Sequence, residues 1–184
     1  MIKALLVDLD GTLIDTYLAN LSSYKQALDE KGLVYSLSEL EACIGKLTWK
    51  LMLQKVIPHH SDVHEIIAIR KREIYSNFIH LTRLNTKLIE IIQSLKKEDL
   101  SVALVTSASK DSVTILLKKL SLEYLFDLII TSDDVLRHKP DPEPYKIASA
   151  LLKVNPDECI IFEDSEIGIC AAKDFGAQVW KVIW

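Results

Sequence analysis

The spacing of hydrophobic side chains changes several times along the chain, and these changes predict its secondary structure. Residues 2–10 (IKALLVDLD) begin with consecutive apolar positions, as in a strand that is buried on both faces of a parallel sheet. Between Asp15 and Lys31, leucine and tyrosine side chains recur at steps of three and four residues, which predicts a helix that ends at Gly32. Helical spacing then continues, so residues 15–83 are predicted to contain helices and no strand.

From residue 84 onward, short apolar runs alternate with amphipathic segments. The apolar runs predict strands, which cover residues 100–109, 125–133, 158–165 and 177–184. The amphipathic segments predict helices, which cover residues 85–98, 110–122, 141–154 and 166–176. Strands that alternate with helices are joined by right-handed crossovers and form a parallel sheet. The predicted fold is therefore an α/β core, formed by residues 1–14 and 84–184, with an α-helical insertion at residues 15–83.

The composition is typical of a soluble globular protein and narrows the range of functions. Of the 184 residues, 49% are hydrophobic and 26% are charged, and the net charge of −4 gives no support to nucleic-acid binding. No apolar run approaches the roughly 20 residues that cross a bilayer, and the N-terminal residues lack the flanks of a secretory signal. We therefore expect a cytoplasmic protein with no nucleic-acid or membrane partner. Cys43, Cys159 and Cys170 lack metal-type spacing and are interpreted as core residues, with a reactive thiol as the alternative.

Polar side chains follow the first four predicted strands of the core at their carboxyl ends. They are Asp8 and Asp10, Thr106 and Ser107, Lys139, and Glu163 and Asp164. Because the carboxyl ends of parallel strands meet at one edge of a sheet, we expect these side chains to lie close together. Clustered carboxylates repel one another unless a cation lies between them. Small groups of oxygen ligands favour Mg²⁺, so the sequence predicts a magnesium site at this edge.

The same residue types are suited to phosphoryl transfer. A carboxylate that faces a metal-bound phosphate can act as a nucleophile, and a second carboxylate nearby can protonate the leaving oxygen and then activate water. Asp8 and Asp10 are two residues apart, a spacing that places both on one face of a strand. Lys139 and Mg²⁺ would offset the phosphoryl charge, and Thr106 or Ser107 would donate a hydrogen bond to it. Taken singly, each residue has a structural alternative, such as capping a helix or holding a structural cation.

Four segments of the chain resemble the four motifs of the haloacid dehalogenase superfamily. They are DLDGTLID (residues 8–15), VTSAS (105–109), KPDPEPY (139–145) and FEDSEIGICAAKDFG (162–176). The chain is most similar to the branch that contains β-phosphoglucomutase and phosphoglycolate phosphatase, in which a helical cap follows the first motif. The resemblance implies a Rossmann-like core, a mobile cap at residues 15–83, Mg²⁺ dependence, and hydrolysis or transfer of phosphate monoesters.

The resemblance also implies roles for individual residues. Asp8 would be the nucleophile, and Asp10 the general acid and base. Asp8, the backbone carbonyl of Asp10 and Asp164 would bind Mg²⁺, with Glu163 assisting. Lys139 would pair with both the phosphate and the nucleophile. The hydroxyl that binds the phosphate would be Thr106 or Ser107, because the motif aligns in two ways.

Two features bear on the choice among family members. The dehalogenases lack an aspartate at the position of Asp10, so its presence favours phosphoryl transfer. The mutases hold a second phosphate with a cap arginine, but residues 43–52 (CIGKLTWKLM) contain none, and Lys46, Trp49 and Lys50 are the candidates to face the substrate.

Family members usually continue with a further strand and helix after the segment that resembles residues 177–184, so we expect an apolar sheet edge there.

We therefore expect a Mg²⁺-dependent phosphatase that hydrolyses a small phosphorylated metabolite, such as a sugar phosphate or a phosphoglycolate-like compound, as a monomer or weak homodimer. A sugar phosphomutase and a catalytically inactive binding module are the alternatives.

Overall fold

The computed structural model of the protein describes residues 1–45 and 47–184. The chain forms two compact units. The core unit contains Met1–Asp15 and Leu84–Trp184, and the helical unit contains Thr16–Arg83. Among the described residues, no helix combines the length and the apolar character that crossing a membrane requires.

A five-stranded parallel sheet lies at the centre of the core unit. Its strands are Ala4–Val7 (β1), Ser101–Val105 (β4), Leu128–Ile130 (β5), Cys159–Glu163 (β6) and Gln178–Lys181 (β7). The strand order is β5-β4-β1-β6-β7, and each neighbouring pair is parallel. This arrangement confirms the predicted α/β fold. Because β1 lies between β4 and β6, the residues that follow β1 are flanked by the ends of two other strands.

Four helices connect the strands of the sheet. They are Thr86–Lys96 (α5), Lys110–Leu120 (α6), Glu143–Leu152 (α7) and Glu166–Phe175 (α8). Their ends carry the expected signals: the side chain of Ser165 accepts a hydrogen bond from the Gly168 N–H at the start of α8, and Gly176 ends that helix with φ of +91°. The apolar faces of α7 and α8, which include Tyr145 and Phe175, pack in one hydrophobic cluster with strand residues such as Leu6 and Ile161.

The strands are shorter than predicted because the polar residues at their carboxyl ends form turns. β1 ends at Val7 rather than at Asp10, and β4 ends at Val105. The expectation that residues 15–83 contain no strand is wrong at both ends of that segment. Two-residue strands, Ile14–Asp15 (β2) and Arg83–Leu84 (β3), occur where the chain passes from one unit to the other.

The helical unit has a hydrophobic core of its own. Its α-helices are Tyr17–Asp29 (α1), Leu37–Cys43 (α2), Trp49–Val56 (α3) and His64–Tyr75 (α4), and 3₁₀ turns occur at Ser61–Val63 and Ser76–Leu81. Buried residues from all four helices, including Leu28, Leu40, Leu53 and Ile67, form one cluster. Because it buries its own apolar side chains, this unit is compact in itself.

Two sequence expectations outside the site can be compared with the structure directly. Cys43 and Cys159 are buried, as expected of core residues, whereas Cys170 is exposed, so its interpretation as a core residue is wrong; all three are free thiols. At the edge strand β7, the ring of Trp180 lies 5.5 Å from that of Phe162 in an edge-to-face arrangement, yet the residue remains 46% exposed. Apolar side chains are therefore accessible at this edge of the sheet.

Candidate active site

A tight turn follows β1 and separates its two aspartates. Asp8 is buried, and its N–H donates to the carbonyl oxygen of Phe162 at 3.0 Å. Asp10 is exposed and lies in the turn, where Gly11 adopts φ of +90°, a conformation that favours glycine. The N–H groups of Leu13 and Ile14 both donate to the carbonyl oxygen of Leu9 at 3.0 Å. Asp8 therefore continues the pairing of β1 with β6 by one residue, whereas the turn, and not strand alternation, places the carboxylate of Asp10.

The ammonium group of Lys139 lies between two buried carboxylates. Its Nζ donates to Asp8 Oδ1 at 2.8 Å, to Glu163 Oε1 at 2.7 Å and to the carbonyl oxygen of Val105 at 3.0 Å. These three contacts use the three hydrogen atoms of the ammonium group. The side chain of Lys139 is 2% exposed, so both ion pairs are largely removed from solvent.

The carboxylate of Glu163 accepts hydrogen bonds on both oxygens. Oε1 accepts from Lys139 and from the hydroxyl of Tyr145 at 3.4 Å, and Oε2 accepts from the N–H and the hydroxyl of Ser165, each at 2.9 Å. A Cβ at Gly168 would lie 1.7 Å from Oε1, so only a glycine lets α8 approach this closely. The carboxylate is thus fixed by its donors and by the helix behind it.

Asp164 completes a group of three carboxylates. One carboxylate oxygen from each of Asp8, Glu163 and Asp164 lies within 4.8 Å of the other two. The hydroxyl of Thr12 donates to Asp164 Oδ1 at 2.8 Å. Three carboxylates face one ammonium group, which leaves an excess of negative charge, and carboxylate oxygens are the ligands that Mg²⁺ prefers. The donor set therefore fits a divalent cation.

The two hydroxyl candidates at the end of β4 differ in exposure. Thr106 is buried, and its Oγ1 accepts a hydrogen bond from the N–H of Ala108 at 3.1 Å. Ser107 is exposed. Both lie next to Val105, whose carbonyl oxygen accepts from Lys139.

The structure describes two of the three residues in the helical unit that are predicted to face the substrate. Trp49 begins α3 and is half-buried against the hydrophobic cluster of that unit. Lys50 is exposed, and its ammonium nitrogen lies 5.4 Å from the centre of the Trp49 ring. Lys46 lies outside the described residues. That these residues face a substrate stays a prediction.

Comparison with known proteins assigns the chain to a family. The profile of the family described as "Haloacid dehalogenase-like hydrolase" matches residues 5–182. The chain belongs to this family. The chain is similar to the "Validoxylamine A 7'-phosphate phosphatase" of Streptomyces hygroscopicus subsp. limoneus, which is 34% identical over 96% of this chain and 83% of its own length. The "Fructose-1-phosphate phosphatase YqaB" of Escherichia coli is 27% identical over 97% of this chain and 95% of its own length.

The fold is shared with a solved structure. The crystal structure of CbbY from Rhodobacter sphaeroides in complex with phosphate superposes with a TM-score of 0.84, covering all of this chain and 88% of CbbY. The sequences are 24% identical, so the likeness concerns the fold alone.

Burial and neighbouring charges change the pKa values of the charged groups at this site. Burial raises the pKa of Asp8, contact with Lys139 opposes that rise, and the negative charge of Glu163 adds to it. Burial also raises the pKa of Asp164, although the Thr12 hydroxyl opposes the change. Burial lowers the pKa of Lys139, but its anionic neighbours, Asp8 first, outweigh this and raise it overall. Each direction is that expected for an acidic cluster with one internal cation.

Several contacts at the site have weak or no signals in the sequence. Sequence reasoning did not select Thr12, Tyr145 or Ser165, although all three lie inside the quoted motifs and carry a hydroxyl that a buried carboxylate can use. The carbonyl oxygen of Val105 leaves no side-chain signal. The indole N–H of Trp184 donates to the carbonyl oxygen of Gly11, a contact between residues that are distant in sequence.

Proposed function

We propose that the protein is a Mg²⁺-dependent phosphatase of a small phosphorylated metabolite, with Asp8 as the nucleophile. The observation that carries the proposal is the buried carboxylate of Asp8, which is held by Lys139 at 2.8 Å within one group of three carboxylates. The similarity to two phosphatases, one of validoxylamine A 7'-phosphate and one of fructose 1-phosphate, supports the reaction type.

The geometry supports a two-step displacement at phosphorus. In the first step an oxygen of Asp8 forms a bond to phosphorus, the bond between phosphorus and the ester oxygen breaks, and Asp10 gives a proton to the leaving alkoxide. In the second step Asp10 removes a proton from water, which attacks phosphorus and releases inorganic phosphate together with the free Asp8 carboxylate. The exposure of Asp10 supports its access to water and to the leaving group.

Lys139 has two tasks in this scheme. Because its Nζ binds Asp8 Oδ1, it fixes the orientation of the carboxylate and leaves Oδ2 for other partners. It also places a positive charge beside the transferred phosphoryl group, where negative charge accumulates in the transition state. Glu163 supports these tasks by holding Lys139 at 2.7 Å.

Mg²⁺ would be held by Asp8, the backbone carbonyl of Asp10 and Asp164. When bound, it neutralises the phosphate oxygens and lowers the repulsion between the phosphate and the nucleophile. We assign Glu163 an indirect role toward the metal, because both of its oxygens already accept hydrogen bonds from Lys139 and Ser165.

The exposed hydroxyl of Ser107 is the better candidate to bind the phosphate. The hydroxyl of Thr106 is buried and serves as the acceptor for the Ala108 N–H, which is a structural task in the turn after β4. The helical unit at Thr16–Arg83 is the segment in which we expect substrate selection.

Phosphate release from p-nitrophenyl phosphate and from a panel of phosphorylated sugars, phosphoglycolate and nucleotides tests the proposal. Asp8→Asn should abolish release, while Asp174→Asn, at an exposed position on α8, should leave it unchanged. EDTA should stop the reaction and added Mg²⁺ should restore it. Turnover by the Asp8→Asn variant, or turnover that survives EDTA, would contradict the mechanism. An isomerised sugar phosphate without free phosphate would indicate a mutase instead.

A further inference from the structure

We propose that Thr12 is a positioning residue for Asp164, and that its hydroxyl sets the affinity of the metal site. The inference rests on the proposed role of Asp164 as a metal ligand. Thr12 Oγ1 donates to Asp164 Oδ1 at 2.8 Å, across 152 positions of sequence. Thr12 is completely buried, so solvent does not supply an alternative partner to its hydroxyl.

The turn after β1 fixes the Asp164 carboxylate from two sides. The Thr12 hydroxyl holds Oδ1, and the backbone of Gly11 lies against Oδ2, since a Cβ on Gly11 would come within 2.3 Å of that oxygen. A side chain at residue 11 would therefore displace the carboxylate. The same turn carries the backbone carbonyl of Asp10, which we also propose as a metal ligand. Two proposed ligands are thus placed by three consecutive residues.

The turn itself is held by the rest of the core unit. The side-chain amide of Asn85 donates to the carbonyl oxygen of Thr12 at 3.2 Å, and the Asn85 N–H donates to the carbonyl oxygen of Leu13 at 2.9 Å. The backbone of Thr12 is therefore anchored independently of its hydroxyl. Removing the hydroxyl should release the Asp164 carboxylate while the turn stays in place.

A partner that orients a metal-binding carboxylate contributes to affinity because it lowers the entropic cost of assembling the site. Loss of such partners typically weakens metal binding about 10–100-fold. Thr12→Val removes the hydroxyl and keeps the shape of the side chain, and Thr12→Ser keeps the hydroxyl and removes the methyl group. The two variants therefore separate hydrogen bonding from packing.

The experiment is calorimetric titration of Mn²⁺, and separately of Mg²⁺, into the substrate-free protein. We expect Thr12→Val to raise the dissociation constant about 10-fold or more, and Thr12→Ser to stay close to the wild-type value. Asp164→Asn, titrated in parallel, should weaken binding further. At saturating Mg²⁺ the kcat of the Thr12→Val variant should return toward the wild-type value, because the proposed defect lies in metal binding.

The outcomes separate this inference from the proposed function. If the wild-type protein binds neither metal, the proposed metal site does not exist and the proposed function fails with it. Wild-type protein that binds metal, with Thr12→Val binding equally well, would overturn the role of Thr12 alone. Lower unfolding free energy without a change in metal affinity would show a purely structural role, and would also overturn it. If circular dichroism shows that Thr12→Val does not fold, the dissociation constant of Thr12→Ala is measured instead, and a value equal to that of wild type would overturn the role of Thr12.

Discussion

Replacing Lys139 by methionine removes the positive charge between two buried carboxylates and keeps most of the volume of the side chain. The side chains of Asp8 and Glu163 are 10% and 1% exposed, so neither is rehydrated without a change in structure. The carbonyl oxygen of Val105 loses its Lys139 donor as well. Removing one partner of a buried ion pair typically costs about 3–5 kcal/mol, and this lysine serves two carboxylates, so we expect at least that range at neutral pH.

The loss should be larger at high pH than at low pH. Burial raises the pKa of Asp8 even while Lys139 is present, so removing the ammonium group raises it further. A carboxyl whose pKa is higher in the folded state than in the unfolded state destabilises the fold as pH rises above its unfolded pKa. Because the pKa of Asp8 is about 8 with Lys139 present, the difference in unfolding free energy between wild type and Lys139→Met should shrink from pH 9 to pH 7, where the folded wild type takes up the proton that the folded variant already holds.

The assay is denaturant unfolding of the metal-free protein, followed by circular dichroism at both pH values. With a slope of about 1–3 kcal/mol per M of urea, a loss of about 3 kcal/mol lowers the urea midpoint by about 1–3 M, so the expected effect is easily resolved. Lys146→Met, at an exposed position of α7, is the matched control and should change stability by less than about 0.5 kcal/mol. Equal unfolding midpoints for the two variants at pH 9 would refute the buried charge cluster. A loss that is independent of pH would refute the electrostatic explanation.

Three further substitutions test the surroundings of the cluster. Gly168→Ala would gain up to about 1 kcal/mol in helix propensity. The added Cβ would overlap Glu163 Oε1, so we expect a net loss of up to about 3 kcal/mol in unfolding free energy and a lower kcat; unchanged kcat and stability would show that the carboxylate moves at no cost. Ser107→Ala should raise KM for p-nitrophenyl phosphate without lowering stability, whereas Thr106→Val should lower stability because the Ala108 N–H loses its acceptor. A rise in KM for Thr106→Val alone would reverse the assignment of the two hydroxyls.

The sheet and the positions of the charged residues follow from simple features of the sequence. The alternation of apolar runs with amphipathic segments after residue 84 requires a parallel sheet, and parallel strands present their carboxyl ends at one edge. Asp8, Lys139 and Asp164 therefore come together although they are far apart in the chain. The predicted strands extend further along the chain than the observed strands. After β1, for example, aspartate and glycine form a turn as soon as the apolar residues stop.

The surroundings of the charged residues depend on features that the sequence does not show. Whether Tyr145 reaches Glu163 depends on how α7 crosses the sheet, and the crossing angle has no signature in the pattern of α7 alone. The use of the Val105 carbonyl by Lys139 depends on a backbone atom that every residue has. Thr12 is polar in an apolar context, and such a residue needs a buried partner, but only the structure identifies that partner as Asp164.

The distribution of hydrogen bonds within the cluster indicates which carboxylates are left for a cation. Buried charged groups usually stabilise a fold less than apolar side chains of similar volume would, so a buried acidic cluster is better explained by a function than by stability. Glu163 is satisfied by donors from Lys139, Tyr145 and Ser165 and needs no metal for its own stability. Asp8 and Asp164 each have one oxygen held, by Lys139 and Thr12 respectively. The unbalanced negative charge is thus concentrated on the two side chains to which we assign Mg²⁺, so the same charge that destabilises the metal-free fold provides the affinity for the cation.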